Sequence, residues 1–102
     1  DLVILDLEDA VKPGDKDSAR EAAVAACAEA WPVPVAIRIN GVGTSWREAD
    51  IEAVARSQAD LVVVPRATSA QDVTDLGKPV LAMIETAAGV IAAPFLLIRS
   101  KP

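Results

Sequence analysis

The sequence has no histidine and no tyrosine, a single cysteine (Cys27), one methionine and one phenylalanine, and aromatics make up only 3% of it. The absence of histidine and of a second cysteine disfavours a zinc site or a histidine-based triad within this chain. Cys27 cannot form an internal disulfide, so a reducing cytoplasm is the default setting. Positive charge is also short. Lys and Arg total 10 against 15 Asp and Glu, a net charge of −5. That balance, with no basic patch interleaved with aromatics, argues against a nucleic-acid or membrane-surface partner. No apolar run approaches the ~20 residues that span a bilayer. The start lacks the basic and then apolar layout of a signal peptide.

What is present is apolar content of 52% over 102 residues, enough for one core and one domain at most. The chain opens without Met, almost directly in a strand, and ends in an Ile-Arg-Ser-Lys-Pro tail. Those ends read as a segment, residues 1–102, of a larger single domain. Leu2–Leu5 is a short apolar run that reads as a buried strand. It breaks into Asp6, Leu7, Glu8 and Asp9, three carboxylates within four residues. Such neighbours repel one another, so a cation, an arginine or a raised pKa must compensate. Acids at a strand's carboxyl end read as a site in α/β proteins. Solvated loop acids before a helix are the alternative.

Lys12–Asp15 is a turn, and Lys16–Ala30 reads as a helix with Ala19, Ala22, Ala23, Ala26 and Cys27 on one face. Cys27 on that face reads as a small buried hydrophobe, and Arg20 as structural. Prolines 32 and 34 stop the helix. Val35–Ile39 is the second strand, carrying Arg38 near its end, and Asn40-Gly41 is a turn pair. The next helix runs from about Trp46 to Ser57, with Ser45 and Glu48 spaced as a capping box and Ile51, Val54 and Ala55 as its buried stripe. Leu61–Val64 is the third strand, followed by Pro65-Arg66. A short helix over Ala70–Leu76 leads to a fourth strand, Val80–Ile84, ending in Glu85; a further helix opens after Thr86.

The order βαβαβαβα predicts a parallel sheet with right-handed crossovers. All strand carboxyl ends then share one rim, which carries Asp6, Glu8, Asp9, Arg38, Asn40, Arg66 and Glu85. A doubly wound sheet and an arc of a (β/α)₈ barrel both fit. Four units are about half of the latter, and a half-barrel leaves two exposed strand edges.

The series VILDLEDAV at Val3–Val11, Ala19-Arg20, RING at Arg38–Gly41, VVPR at Val63–Arg66 and IETAAG at Ile84–Gly89 resembles the HpcH/HpaI aldolase and citrate lyase β-subunit family. The branch it is most similar to includes malyl-CoA and citramalyl-CoA lyases. The resemblance implies a (β/α)₈ TIM barrel, here about four of its βα units, usually assembled as a homo-oligomer. It implies Mg²⁺-dependent making or breaking of a carbon–carbon bond beside an acyl thioester carbonyl, on CoA or on an acyl carrier. By motif, Glu85 would be a direct Mg²⁺ ligand that also contacts substrate. Arg38 would bind substrate and steady the developing enolate. Glu8 and Asp9 would stand around the metal and Arg38, behind the direct ligands or reaching them through water. The second metal ligand, an Asp on the following strand, is expected outside this chain. Arg66 stands where the family more often has Lys.

Other readings of the same residues stay open. Arg38 could pair with Asp6 or Asp9 as a structural bridge, and Glu85 could be a helix-terminal acid favoured by the dipole. A pyruvate-type aldolase on the same barrel, or a truncated segment without catalysis, are the alternative functions.

Overall fold

A computed structural model of the chain describes residues 2–83. Four short parallel strands form its centre: β1 (Val3–Asp6), β2 (Val35–Arg38), β3 (Leu61–Val64) and β4 (Val80–Ala82). They lie side by side in chain order. The register pairs Val3 with Val35 and Asp6 with Arg38, then Ala36 with Leu61, then Val62 with Val80. A doubly wound sheet reverses its strand order at a switch point. Among the described residues the order does not reverse, and the sheet is an arc of a (β/α)₈ barrel.

The inner strands are apolar up to Arg38 at the end of β2 because both of their faces are covered. Ala36, Ile37, Val62, Val63 and Val64 are all buried, whereas Ile4 on the edge strand β1 is 48% exposed. Two helices cross between strands, α1 (Lys16–Cys27) and α2 (Arg47–Arg56). Ala23, Cys27 and Val54 join Leu7, Ile37, Ile39, Val62, Val64 and Val80 in one core. Below the sheet, Asp60 ties the starts of β2 and β3: its amide donates to Val35 O at 2.8 Å and its carboxylate accepts from Val35 N at 2.9 Å.

Several expected boundaries move, each for a local reason. α1 ends at Cys27 rather than Ala30. The Trp31 indole N–H donates to Ala26 O at 2.8 Å, and the Glu29 amide takes the same carbonyl, so the last turn has nothing left to extend on. The buried stripe of α2 is Asp50, Ala53 and Val54, not Ile51, Val54 and Ala55; Ala55 is exposed and Ile51 half-buried. Ser45 does not cap that helix. Trp46 precedes it with no side-chain cap, and the capping box forms at Ser69 and Asp72 instead. The expected helix over 70–76 is one 3₁₀ turn, Ala70–Val73. Thr74 is extended, and Asp75 (φ 58°) and Gly77 (φ 79°) turn left-handed, which drops Leu76 into the core. β1 and β2 end on Asp6 and Arg38, one residue later and one earlier than expected. Ile84, Glu85, the helix after Thr86 and the tail lie outside the described residues.

Candidate active site

Asp6 and Arg38 are register partners at the last position of adjacent strands. Their side chains therefore leave the sheet side by side at its carboxyl rim. Arg38 Nε donates to Asp6 Oδ1 at 2.8 Å, and Nη2 donates to Oδ2 at 2.5 Å. This two-point fork is the geometry that suits guanidinium and carboxylate. The Asp6 oxygens also accept the backbone N–H of Glu8 at 2.8 Å and of Ala10 at 3.1 Å, so Asp6 shapes the turn that follows it. Arg38 holds the Asp6 carboxyl below its usual range; burial pushes the other way and is outweighed, with help from the Glu8 and Ala10 amides. Asp6 in turn raises the Arg38 pKa against the opposing effect of burial.

The turn delivers Glu8 between two arginines. Its Oε1 lies 3.6 Å from Arg38 Nε and its Oε2 accepts from Arg66 Nη2 at 2.9 Å. Glu8 is buried, whereas the Arg66 side chain is 54% exposed. Arg66 sits just after β3 with φ 49°, a left-handed conformation uncommon for a side chain of its size. Gly41 lies against this side chain: a Cβ there would meet Arg66 Nη2 at 3.4 Å, at the edge of ordinary van der Waals contact. The remaining end of Arg38 turns toward the end of β4, where, among the described residues, Nη1 reaches only the Met83 sulfur at 3.8 Å. A thioether is a weak acceptor. Among the described residues that donor has no stronger acceptor.

Of the residues singled out in the sequence, Glu8 and Arg38 come together here. Asp9 is exposed at the turn and acts on Arg38 through space. Glu85 lies outside the described residues. The described carboxylates do not by themselves fit a metal. Asp6 and Glu8 face guanidinium groups, and no group of three or more His, Cys, Asp or Glu among the described residues could hold an ion. The bridge between Arg38 and Asp6 exists, and Asp6 rather than Asp9 is the partner.

A second cluster lies behind the rim. Asp50 on α2 accepts from Arg20 Nε of α1 at 2.9 Å, and its other oxygen accepts from Asn40 N at 2.9 Å and Asn40 Nδ2 at 2.6 Å. Arg20 also reaches Asp17 at 2.7 Å. Burial opposes the Arg20 charge, and the carboxylates of Asp17 and Asp50 more than offset it. Asn40 is thus a buried anchor rather than a simple turn residue.

Lys16 was not foreseen. It opens α1 yet is only 5% exposed. Its Nζ donates to Leu7 O at 2.8 Å and Glu8 O at 2.7 Å and stands 5.0 Å from the centre of the Trp46 ring. A lysine at a helix N-terminus opposes the dipole, and that conflict was the available signal.

Comparison with known proteins bears on the family and the fold. The model of the HpcH/HpaI aldolase/citrate lyase family matches residues 1–99. The chain belongs to that family. It is 39% identical over 94 residues to a citrate lyase subunit beta-like protein of Mycobacterium tuberculosis, covering 91% of this chain and 34% of that protein. It is 36% identical over 100 residues to a (3S)-malyl-CoA thioesterase of Cereibacter sphaeroides, covering 91% and 35%. Among solved structures, protein CitE of Mycobacterium tuberculosis in complex with magnesium, acetoacetate and coenzyme A superposes with a TM-score of 0.81 at 38% identity, covering 94% of this chain and 36% of that one. The chain spans about a third of the length of these relatives. No helix among the described residues is long and apolar enough to cross a membrane.

Proposed function

We propose that the protein carrying this chain is a Mg²⁺-dependent carbon–carbon lyase acting on an acyl thioester such as citryl-, malyl- or citramalyl-CoA, and that residues 1–102 form part of its single barrel domain. The observation that carries the reading is the state of Arg38. Its Nε and Nη2 are fixed on Asp6, and among the described residues Nη1 has only a thioether before it. Retro-aldol cleavage leaves an electron pair as the enolate of the shortened thioester. A preorganised guanidinium donor stabilises such developing charge without rearranging during the reaction. Asp6 holds that donor still. Glu8 keeps Arg38 and Arg66 apart and offsets part of their charge.

We assign Glu85 as the direct Mg²⁺ ligand of this chain and as a substrate contact, with Glu8 and Asp9 acting around the ion and Arg38 through water. The ion, when bound, supplies further positive charge to substrate oxygens. The second carboxylate ligand is expected from outside this chain. A homo-oligomer in a reducing cytoplasm, where the buried Cys27 stays a thiol, completes the proposal.

The test is product analysis with each of the three thioesters, with and without Mg²⁺. A lyase releases acetyl-CoA and a keto acid or glyoxylate. The likeness to a malyl-CoA thioesterase favours one second reading, hydrolysis, which yields free CoA and the intact hydroxy acid instead. Cleavage of hydroxy-keto acids alone points to the pyruvate-type aldolase. No cleavage of any substrate means a segment without catalysis.

A further inference from the structure

We infer that Lys16 is a positioning residue for the rim: its ammonium holds two successive backbone carbonyls and so sets where Glu8 stands between Arg38 and Arg66. The inference rests on the lyase reading only for its kinetic arm.

The environment of Lys16 is unusual for a lysine. Removing an ammonium from water is expensive unless it is compensated. Here, among the described residues, no carboxylate compensates it. The carbonyl oxygens of Leu7 and Glu8 do so, at 2.8 and 2.7 Å, together with the face of Trp46. The Glu8 carbonyl also accepts the Val11 amide at 3.2 Å. The turn after β1 is thereby held from two sides: Asp6 grips the amides of Glu8 and Ala10, and Lys16 grips the carbonyls of Leu7 and Glu8. With both peptide groups of Glu8 fixed, the direction in which its side chain leaves the backbone is fixed too. Trp46 comes from the loop between β2 and α2. Lys16 therefore joins the loops that follow β1 and β2, the strands that end in Asp6 and Arg38, and the first of those loops carries Glu8.

The test compares protons in the two ionic clusters by NMR. Lys16→Met keeps the aliphatic stem and removes the charge. The expected result is that the amides of Glu8 and Ala10 and the Nε–H of Arg38 exchange about tenfold faster, while the Nε–H of Arg20 on Asp50 is unchanged. A purely structural lysine would loosen both clusters together. Lys16→Gln, a neutral donor that can satisfy one carbonyl, carries the same comparison if Lys16→Met does not fold. In the lyase assay, kcat should fall with KM little changed, and Lys16→Met should add nothing in a Glu8→Gln background. Exchange that moves in step at Arg38 and Arg20, or does not move at Glu8, overturns the inference. Absence of thioester cleavage by the unaltered protein would instead overturn the lyase reading and leave the exchange result standing.

Discussion

Two carboxylate–guanidinium clusters share this sheet, and the contrast between them separates architecture from chemistry. Behind the rim, the side chains of Arg20 and Asp50 are 9% and 1% exposed. Both Asp50 oxygens are taken, by an arginine on one side and an asparagine on the other. At the rim, the Arg38 and Asp6 side chains are 20% and 18% exposed, Arg66 is more than half exposed, and among the described residues one end of Arg38 meets only a sulfur. The residue types are the same. The closed cluster pins α1, α2 and the end of β2 to one another. The open one keeps a fixed donor facing outward. A charge pair alone does not mark a site; a held charge with an unfilled direction does.

The largest expected effect breaks the closed cluster. Asp50→Ala leaves Arg20 and Asn40 facing a buried gap, and the loss is expected at about 3–5 kcal/mol in urea unfolding. Arg38→Ala breaks the open cluster. It should lower kcat for thioester cleavage by about 10²–10³-fold while a cooperative unfolding transition persists. If Asp50→Ala proves mild in stability and Arg38→Ala proves severe, the division of roles is wrong.

A third prediction uses pH. The Asp6 carboxyl titrates below its ordinary value when folded, chiefly because of Arg38. Its stabilising contribution is complete above the unfolded pKa of about 3.9 and is lost as pH falls through the lower folded value. The urea midpoint of the unaltered protein should therefore drop between pH 5 and pH 2. Asp6→Asn should show a shallower drop. Some slope should remain from Asp72, where burial raises the pKa but the amides and hydroxyls of Thr68 and Ser69 outweigh it.

The smallest effects sharpen the fold. Ser69→Ala should cost about 1 kcal/mol through loss of the capping box, whereas Ser45→Ala should leave the unfolding midpoint unchanged.

Much of this arrangement was legible in the residues. The β-branched runs announce β1 to β4, and acids and arginines at their ends announce the rim. Sheet order separates a barrel arc from a doubly wound sheet, and the residue pattern alone left both standing. The clusters divide the same way. Asp6, Glu8 and Arg38 belong to strand ends, where position in the chain gives position in space. Asp50 and Lys16 lie on helices, where a charged residue reads first as part of a solvated face. Their partners come from other elements, thirty residues away for Arg20 and Asp50 and eight or nine for Lys16. Asp50 falls in phase with Ala53 and Val54, so it occupies a place in the apolar stripe. The misplaced cap at Ser45 is the converse case: the spacing was right, but the helix begins at Arg47 behind Trp46, one position too late for Ser45 to cap it.

The most direct measurement is a crystal structure of the protein carrying this chain with Mg²⁺ and oxaloacetate, the keto acid that citryl cleavage would release. The account predicts a ligand oxygen within hydrogen-bond distance of Arg38 Nη1, with Nε and Nη2 still on Asp6. A ligand bound away from Arg38, or an Arg38 that abandons Asp6 to reach it, would contradict the claim that this rim is preorganised for the reaction.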